Sequence, residues 1–376
     1  MIGLLYGRRI RVLVGSLVVC DLDPSASAAE NEARNLDVEF SCESHAKIEP
    51  LKTQLTIYGL NRAIRQQLSA QNDEARRVAS QRYQAIEVGD VLVEGVEDVA
   101  AASASLVSQG ATVQIFAGYG DDLGLIARAV ILPDGLEHEY TRPGYVTKIT
   151  AQDSRLPWSN AFVSEPVVPG VTLSDIDRVL EISAGYLSGD VGAGEVEAEV
   201  PGLLERKVFP GYQNGAVLHG ASRDQSAKVL ESLGLRPFWS LGQLYYLPTD
   251  GTLFDEAVVL QLVGPESASL AAPSTRRNVT GFGGATPDTS LYAGTPTPGG
   301  LLRYKELPRG YLDVHCLLNY RLTPGRQVQV KDETGAPVGM GLYRVEHAHH
   351  FGGGAISDYY TDAVLRPTTV APAQNG

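Results

Sequence analysis

Three of the seven histidines in this 376-residue chain crowd into Glu346-His347-Ala348-His349-His350-Phe351, beside a carboxylate and ahead of Gly352-Gly353-Gly354. In a strand, side chains alternate between faces, so His347 and His349 project from one face at a spacing a metal ion accepts, while Glu346 and His350 point the other way. Two imidazoles do not close a zinc site. The competing reading needs no ligand: Leu342-Tyr343-Arg344-Val345 is a strand, the glycines are its turn, and Asp358-Tyr359-Tyr360-Thr361 is the returning partner.

Other chemistry-bearing patterns are looser. His315 beside Cys316, with Asp313 near, suggests a nucleophile, yet in Leu312-Asp313-Val314-His315-Cys316-Leu317 the strand alternation puts the imidazole and the thiol on opposite faces. Gly281-Phe282-Gly283-Gly284 imitates a phosphate loop without the leading strand, the following helix or a Lys-Ser/Thr pair. Glu137, Glu139, Glu195, Glu197 and Glu199 offer pairs for glycosidase-type acid and base, but nothing in the sequence desolvates one of them. No nucleotide, flavin, haem or Ser-His-Asp signature stands out, so the expectation is a non-enzymatic chain with no cofactor and no catalytic residues, its only metal candidates being His347 and His349.

Period-two alternation marks strands at Val38/Phe40/Cys42, Leu55/Ile57, Thr112–Tyr119, Leu125–Ile131 and Tyr145–Ala151. Leu60, Ile64 and Leu68 share one face of a short helix that follows the second of these. Residues 72–108 are rich in Ala, Glu, Asp, Ser and Val with weak periodicity and read as an insertion. Composition shifts at Pro157 to Pro169, and helices follow. One is capped by Thr172 or Ser174, and another starts with a Ser222/Gln225 capping box, carries Val229, Leu230 and Leu233 inward, and ends at Gly234. Two strands around a Gly-containing turn occupy Arg236–Leu247. Residues 264–300 are rich in Pro, Gly, Ser and Thr and form a long loop; strands resume at Leu312–Leu318, Gln327–Lys331, Gly341–His347 and Tyr359–Leu365. The fold class is mainly β with α+β: a β-rich domain over 1–156 carrying the insertion near 72–108, an α+β module over 157–255, and a second β-rich domain over 256–376 with the loop near 264–300.

Forty glycines and 21 prolines suit many turns, and a formal charge of -13 without a basic run gives no footprint for gripping phosphate backbones. Three scattered cysteines, Cys20, Cys42 and Cys316, are too few for a disulfide framework and read as buried thiols. Arg8-Arg9-Ile10-Arg11 followed by VLVGSLVVC imitates a secretory or lipoprotein signal, but Val19 stands where a small residue belongs and β-branched residues favour a strand. No stretch approaches the roughly 18 apolar residues of a membrane span, so no membrane anchoring is expected.

Three stretches carry a resemblance. TQLTIYGLNRAIRQQL (Thr53 to Leu68) looks like a tube-barrel strand ending in a turn and helix; TVQIFAGYGDDLGLIARAVI (Thr112 to Ile131) looks like a strand of "A-G-Y" type with its hairpin partner; LLNYRLTPGRQVQVKDETGAPVGMGLYRVEHAHHFGGG (Leu317 to Gly354) looks like a closing barrel. Together with the element order they resemble the baseplate hub proteins of tailed bacteriophages, the late-control-protein-D-like family, whose relatives also form part of type VI secretion spikes. Departures are the region 72–108, Tyr320 where the family has Pro, and the lack of a lysozyme-like or peptidase extension.

The resemblance implies two tail-tube-like β-barrel domains flanking or joined by the α+β module. It also implies a homotrimer at the distal tail baseplate of the virion, contacting the tail tube or a distal tail protein ring, a trimeric spike or tip protein, and the tape-measure protein. DNA would be passing cargo only, and an acidic wall would let it slide. The alternative functions are a virion-associated cell-wall hydrolase and a glycan-binding tail-tip protein, the latter drawing on the 17 tyrosines for stacking.

Overall fold

The computed structural model describes residues 8–22, 37–45, 52–88, 110–119, 122–141, 144–152, 162–176, 179, 205, 207–208, 216–241, 243–248, 257–262, 300–353 and 359–368. The alternation in the sequence becomes alternation in burial. β1 (Arg8–Val14) buries every second residue and turns at Gly15-Ser16 into β2 (Leu17–Leu22), so the signal-like stretch is a hairpin. β3 (Asp37–His45) and β4 (Lys52–Tyr58) form a second antiparallel pair with Val38, Phe40, Cys42, Leu55 and Ile57 inward. β5 (Thr112–Tyr119), β6 (Asp122–Thr141) and β7 (Gly144–Gln152) make a meander, and β7 returns to pair with β4.

The expected short helix is much longer. α1 runs Arg62–Val88, starting where the Asn61 side chain accepts the Ile64 N–H at 2.9 Å. Leu60 and Leu68 are buried as expected, but past Leu68 apolar contacts give way to polar anchors. Buried Asn72 accepts the Ala111 N–H at 3.0 Å, and Arg76 donates to the Leu132 and Pro133 carbonyls. That substitution of hydrogen bonds for an apolar stripe is why the periodicity fades at residue 72. The loop reading of residues 264–300 lies almost wholly outside the described residues.

The middle section is a small α+β unit. β8 (Phe162–Val167) pairs with β9 (Ala216–Ala221), α2 (Ser222–Ser232) packs Val229 and Leu230 inward, and β10 (Leu235–Ser240) pairs with β11 (Gln243–Pro248). Thr172 caps the turn after β8 as expected, its hydroxyl receiving the Asp175 N–H at 3.3 Å. The Ser222/Gln225 box does not form. Because β9 runs straight into the helix, Ala221 is the N-cap with no side-chain cap, and Gln225 instead donates to the His219 carbonyl at 2.8 Å. Gly234, at φ +72°, ends the helix in the left-handed conformation expected of it.

The last section adds β12 (Val258–Gln261), β13 (Leu301–Glu306), β14 (Leu312–Leu317), β15 (Gln327–Lys331), β16 (Pro337–Gly353) and β17 (Tyr359–Pro367). Its pairing repeats the first section. The spatial order β3-β4-β7-β6-β5, antiparallel throughout, recurs as β13-β14-β17-β16-β15, again antiparallel throughout. In both, a hairpin leads to a three-strand meander whose long central strand, β6 or β16, changes partners along its length. The flanks differ: β1 joins β5 antiparallel, whereas β12 joins β15 in parallel. Each repeat has its own apolar core, one around Ile10, Leu55, Ile57 and Ile115, the other around Leu260, Val314, Val330 and Val345.

The chain is therefore mainly β with a small α+β part, and the thirteen paired strands of the two repeats form one sheet. Among the described residues neither repeat closes into a barrel by itself. The second approaches closure through a single bridge, Leu262 to Leu301, while β3 of the first is already committed to β16.

Removing the polar anchor of α1 tests its docking. Asn72→Ala strands the buried Ala111 N–H and is expected to cost about 1–3 kcal/mol in urea denaturation, with no loss of strand content by circular dichroism.

Candidate functional site

The site of interest is the seam where one repeat joins the other. It is built on β16. The strand's first part pairs with β15, from Pro337 to Arg344, and its second part pairs with β17 on one side and β3 on the other. Between them Glu346 forms a bulge, where the register with β17 shifts after Val345. The extra residue lets both Val345 and Ala348 stay inward. It also aims Glu346 at two arginines: Arg344, whose side chain is 2% exposed, donates from Nε at 3.0 Å, and Arg236 of β10 donates at 3.1 Å. Burial pushes the Glu346 carboxyl up, but the two guanidiniums outweigh it and hold the group below its ordinary value. The middle module is thereby tied to the bulge.

Beyond the bulge seven residue pairs run from His347 opposite His45 to Gly353 opposite Glu39. On the inner face, Ala348, His350 and Gly352 are buried. His350 Nδ1 meets Thr361 Oγ1 at 2.9 Å, and burial drives its pKa down to about 3, so the imidazole is neutral. Gly352 lies between Phe40 on β3 and Tyr359 on β17, its partner on each side. The Phe40 and Tyr359 rings meet edge to face at 6.0 Å.

On the outer, half-buried face the predicted metal candidates stand together. His349 Nε2 lies 2.9 Å from Ser41 Oγ, and His347 faces His45 at a ring distance of 6.3 Å. Burial lowers the pKa of His347, and His349 adds to the shift while Glu43 opposes it. In register across the sheet run Arg303, His315, Asp362, His349 and Glu43, one residue from each of five strands. His315 Nδ1 is hydrogen-bonded to Asp362 Oδ1. Among the described residues no group of three or more His, Cys, Asp or Glu side chains is placed to hold a metal. The row is a cross-strand polar ladder that ties strands together.

His315 and Cys316 face opposite ways, as the alternation requires. Cys316 is buried and its thiol is pushed up by desolvation, the reverse of what a nucleophile needs. Cys20 and Cys42 are likewise buried and free. Glu137 and Glu139 lie exposed on β6, Glu139 paired with Lys148 at 2.8 Å. Glu195, Glu197, Glu199 and Gly281–Gly284 lie outside the described residues.

Sequence reasoning missed the residues that lock the seam. Tyr359, the first residue of β17, is 1% exposed and inserts into the core of the other repeat. Its hydroxyl receives the Gly118 N–H at 3.0 Å and donates toward the Arg9 carbonyl at 2.9 Å, and its ring meets Tyr119 edge to face at 5.3 Å. Tyr320, in the β14–β15 connection, donates to Asp122 at 2.6 Å, and Arg321 reaches the same carboxylate at 3.4 Å. The Tyr320 ring lies so close to Gly124 that a Cβ there would sit 1.9 Å from it, so this position admits only glycine. The position where the resembled family has Pro is thus a tyrosine pinning one repeat to the other.

No family model and no curated protein matches the chain. Among solved structures it is similar to a tail protein from Neisseria meningitidis, at 10% identity over 96% of this chain and 97% of that one, TM-score 0.46. It is also similar to the 43 kDa tail protein of prophage MuSo2 from Shewanella oneidensis, at 11% identity over 96% and 98%, TM-score 0.45. A third is an E. coli component of the type VI secretion system, itself described as similar to bacteriophage T4 tail proteins, at 7% identity over 96% and 77%, TM-score 0.47.

Two outcomes check the seam. Tyr359→Phe leaves the Gly118 N–H unpaired in the core and is expected to cost about 1–3 kcal/mol by denaturant titration. The folded state holds His350 neutral at a pKa below the 6.5 of the free side chain. The unfolded chain therefore binds the extra proton, and stability is fully present above pH 6.5 and falls as pH drops toward 3. Between pH 7 and 5.5 this group alone is expected to remove about 1 kcal/mol, and His350→Gln should abolish that share of the pH dependence.

Proposed function

We propose that this chain is the structural hub of a phage-tail baseplate, a homotrimer that adapts a six-fold tail tube to a three-fold spike or tip and lines the channel between them. The observation that carries this reading is the duplicated strand order, with the two copies joined edge to edge in one chain. A six-fold tube ends in six equivalent surfaces, and a three-fold object matches it only if each chain offers two similar ones. In this reading residues 1–156 and 256–376 are the two tube-like barrel domains and 157–255 is the module between them, docked through Arg236 and Glu346.

In this reading the partners are the tail tube or a distal tail protein ring on one side, a trimeric spike or tip protein on the other, and the tape-measure protein and DNA as cargo. A net charge of -13 suits a channel that must not grip a polyanion. The seam's polar ladder serves assembly, and no catalytic role is assigned to it.

Electron microscopy of the purified protein tests the reading. Rings of three chains with a central opening are expected, and antibody to the chain should label the distal end of the virion tail. A strictly monomeric protein that labels elsewhere on the particle would rule the hub out.

A further inference from the structure

The two repeats correspond residue by residue at their joining edges. In the second, the Leu318 N–H donates to the Tyr359 carbonyl at 3.1 Å; in the first, the Gly59 N–H donates to the Tyr145 carbonyl at 2.9 Å. Two residues on, Thr361 Oγ1 meets His350 Nδ1 at 2.9 Å and Thr147 Oγ1 meets His138 Nδ1 at 2.9 Å, each threonine directly opposite its histidine. Tyr145 is therefore the counterpart of Tyr359, and His138 the counterpart of His350.

Their surroundings are opposite. Tyr359 is 1% exposed, because β3 lies beside β16 and the other repeat's core receives the ring. Tyr145 is 39% exposed and Tyr140, across from it, is 64% exposed. The outer half of β6, from Leu136 to Thr141, pairs with β7 alone; the edge that β3 fills on β16 is open on β6 among the described residues. The second repeat also has a strand to spare. Among the described residues β13, the counterpart of β3, pairs with β14 and otherwise has only the bridge from Leu301 to Leu262, just past β12.

We infer that β13 of one copy of this chain adds to the outer half of β6 of a second copy, repeating the β3–β16 seam between molecules and burying Tyr145 as Tyr359 is buried within the chain. The inference rests on the hub reading only for the number of copies that close the ring. The register follows from the internal seam: by their pairings with β4 and β14, Glu39, Phe40, Ser41 and Cys42 correspond to Arg303, Tyr304, Lys305 and Glu306. Carried across, Tyr304 of one copy faces Tyr140 of the next, Lys305 faces Glu139, and Glu306 faces His138. The Lys305–Glu139 pair is complementary in charge, and the ladder stops where Pro308, which lacks an N–H, begins a turn.

Directly opposed residues of an antiparallel pair have Cβ atoms about 4.5–5.5 Å apart, close enough for a disulfide after small adjustment. Full-length Lys305→Cys is mixed with full-length Glu139→Cys under mild oxidation; the native thiols are buried. A covalent dimer on a non-reducing gel is expected from the mixture and from neither variant alone. The double variant should close into a covalent trimer. Tyr145→Ser, placed at the proposed contact, should weaken association about tenfold or more by mass photometry, and because the Tyr145 ring also carries Arg65 of α1 at 3.4 Å, its monomer is compared with an Arg65→Ser monomer that loses the same intramolecular contact but associates normally. If the protein forms trimers that do not cross-link at this pair, the seam is wrong and the hub reading survives. If the pair cross-links into open chains or rings of another number, the seam stands and the three-fold reading falls. A monomer that never cross-links overturns both.

Discussion

A strand that gives its two ends to different neighbours is the constraint on which this molecule depends. β16 pairs with β15 within its own repeat and then, past the Glu346 bulge, offers the same edge to β3 of the other repeat. Without the bulge the alternation would invert, and Ala348, His350 and Gly352 would face outward in place of His347, His349 and Phe351. The bulge in turn leaves a carboxylate at a sheared, partly buried position. Arg344 and Arg236 are the answer to that charge, since a buried carboxylate without partners would cost several kcal/mol. One backbone irregularity thus fixes the register of the seam and the docking point of the middle module together.

Main-chain pairing alone makes a weak joint, because each edge group could bond to water instead and the net gain per hydrogen bond is about 1 kcal/mol. Specificity comes from the side chains that cross it. Tyr359 carries a large apolar ring into the opposite core and satisfies its hydroxyl against the backbone at Gly118 and Arg9, so a shifted register would bury an unpaired hydroxyl. Tyr320 and Gly124 add a steric key at a second point, where only the absence of a Cβ lets the ring settle. Both tyrosines act far from their own strands in sequence, and both cross from the second repeat into the first.

That distance explains what was legible in the sequence. The alternation of Val38, Phe40 and Cys42, or of Tyr359, Thr361 and Ala363, is local and reads directly as half-buried strand. β16 is longer than its sequence pattern suggests because Gly339 and Gly341, at φ +56° and +80°, look like turn residues, and the strand bends through them instead of ending. α1 outruns its apolar stripe because Asn72 and Arg76 replace that stripe with hydrogen bonds to the strands of the first repeat. The histidine cluster was legible as a strand with His347 and His349 on one face, but its partners, Ser41, His45 and Glu43, come from a strand some three hundred residues away. Nothing local separates Tyr359 from Tyr145, which have the same residue type at corresponding places and opposite burial.

The duplication also bears on why the two repeats have diverged where they have. The hairpin-meander order recurs in both repeats, as do the threonine–histidine pairs on the long central strand. The flanking strand differs, antiparallel β1 in one repeat and parallel β12 in the other, and β1 meets the seam through the Arg9 carbonyl that accepts from Tyr359. The seam residues themselves differ in character: histidine, small and aromatic residues with two glutamates and no lysine or arginine among the paired positions where β3 meets β16 inside the chain, both signs of charge and tyrosines on β13 and β6. A contact made once during folding needs no steering, whereas a contact made between free molecules gains encounter rate and partner selection from charge. Unlike charge on the two edges also discourages β6 from pairing with β6 and β13 with β13, which is the error a sequence with two similar edges must avoid.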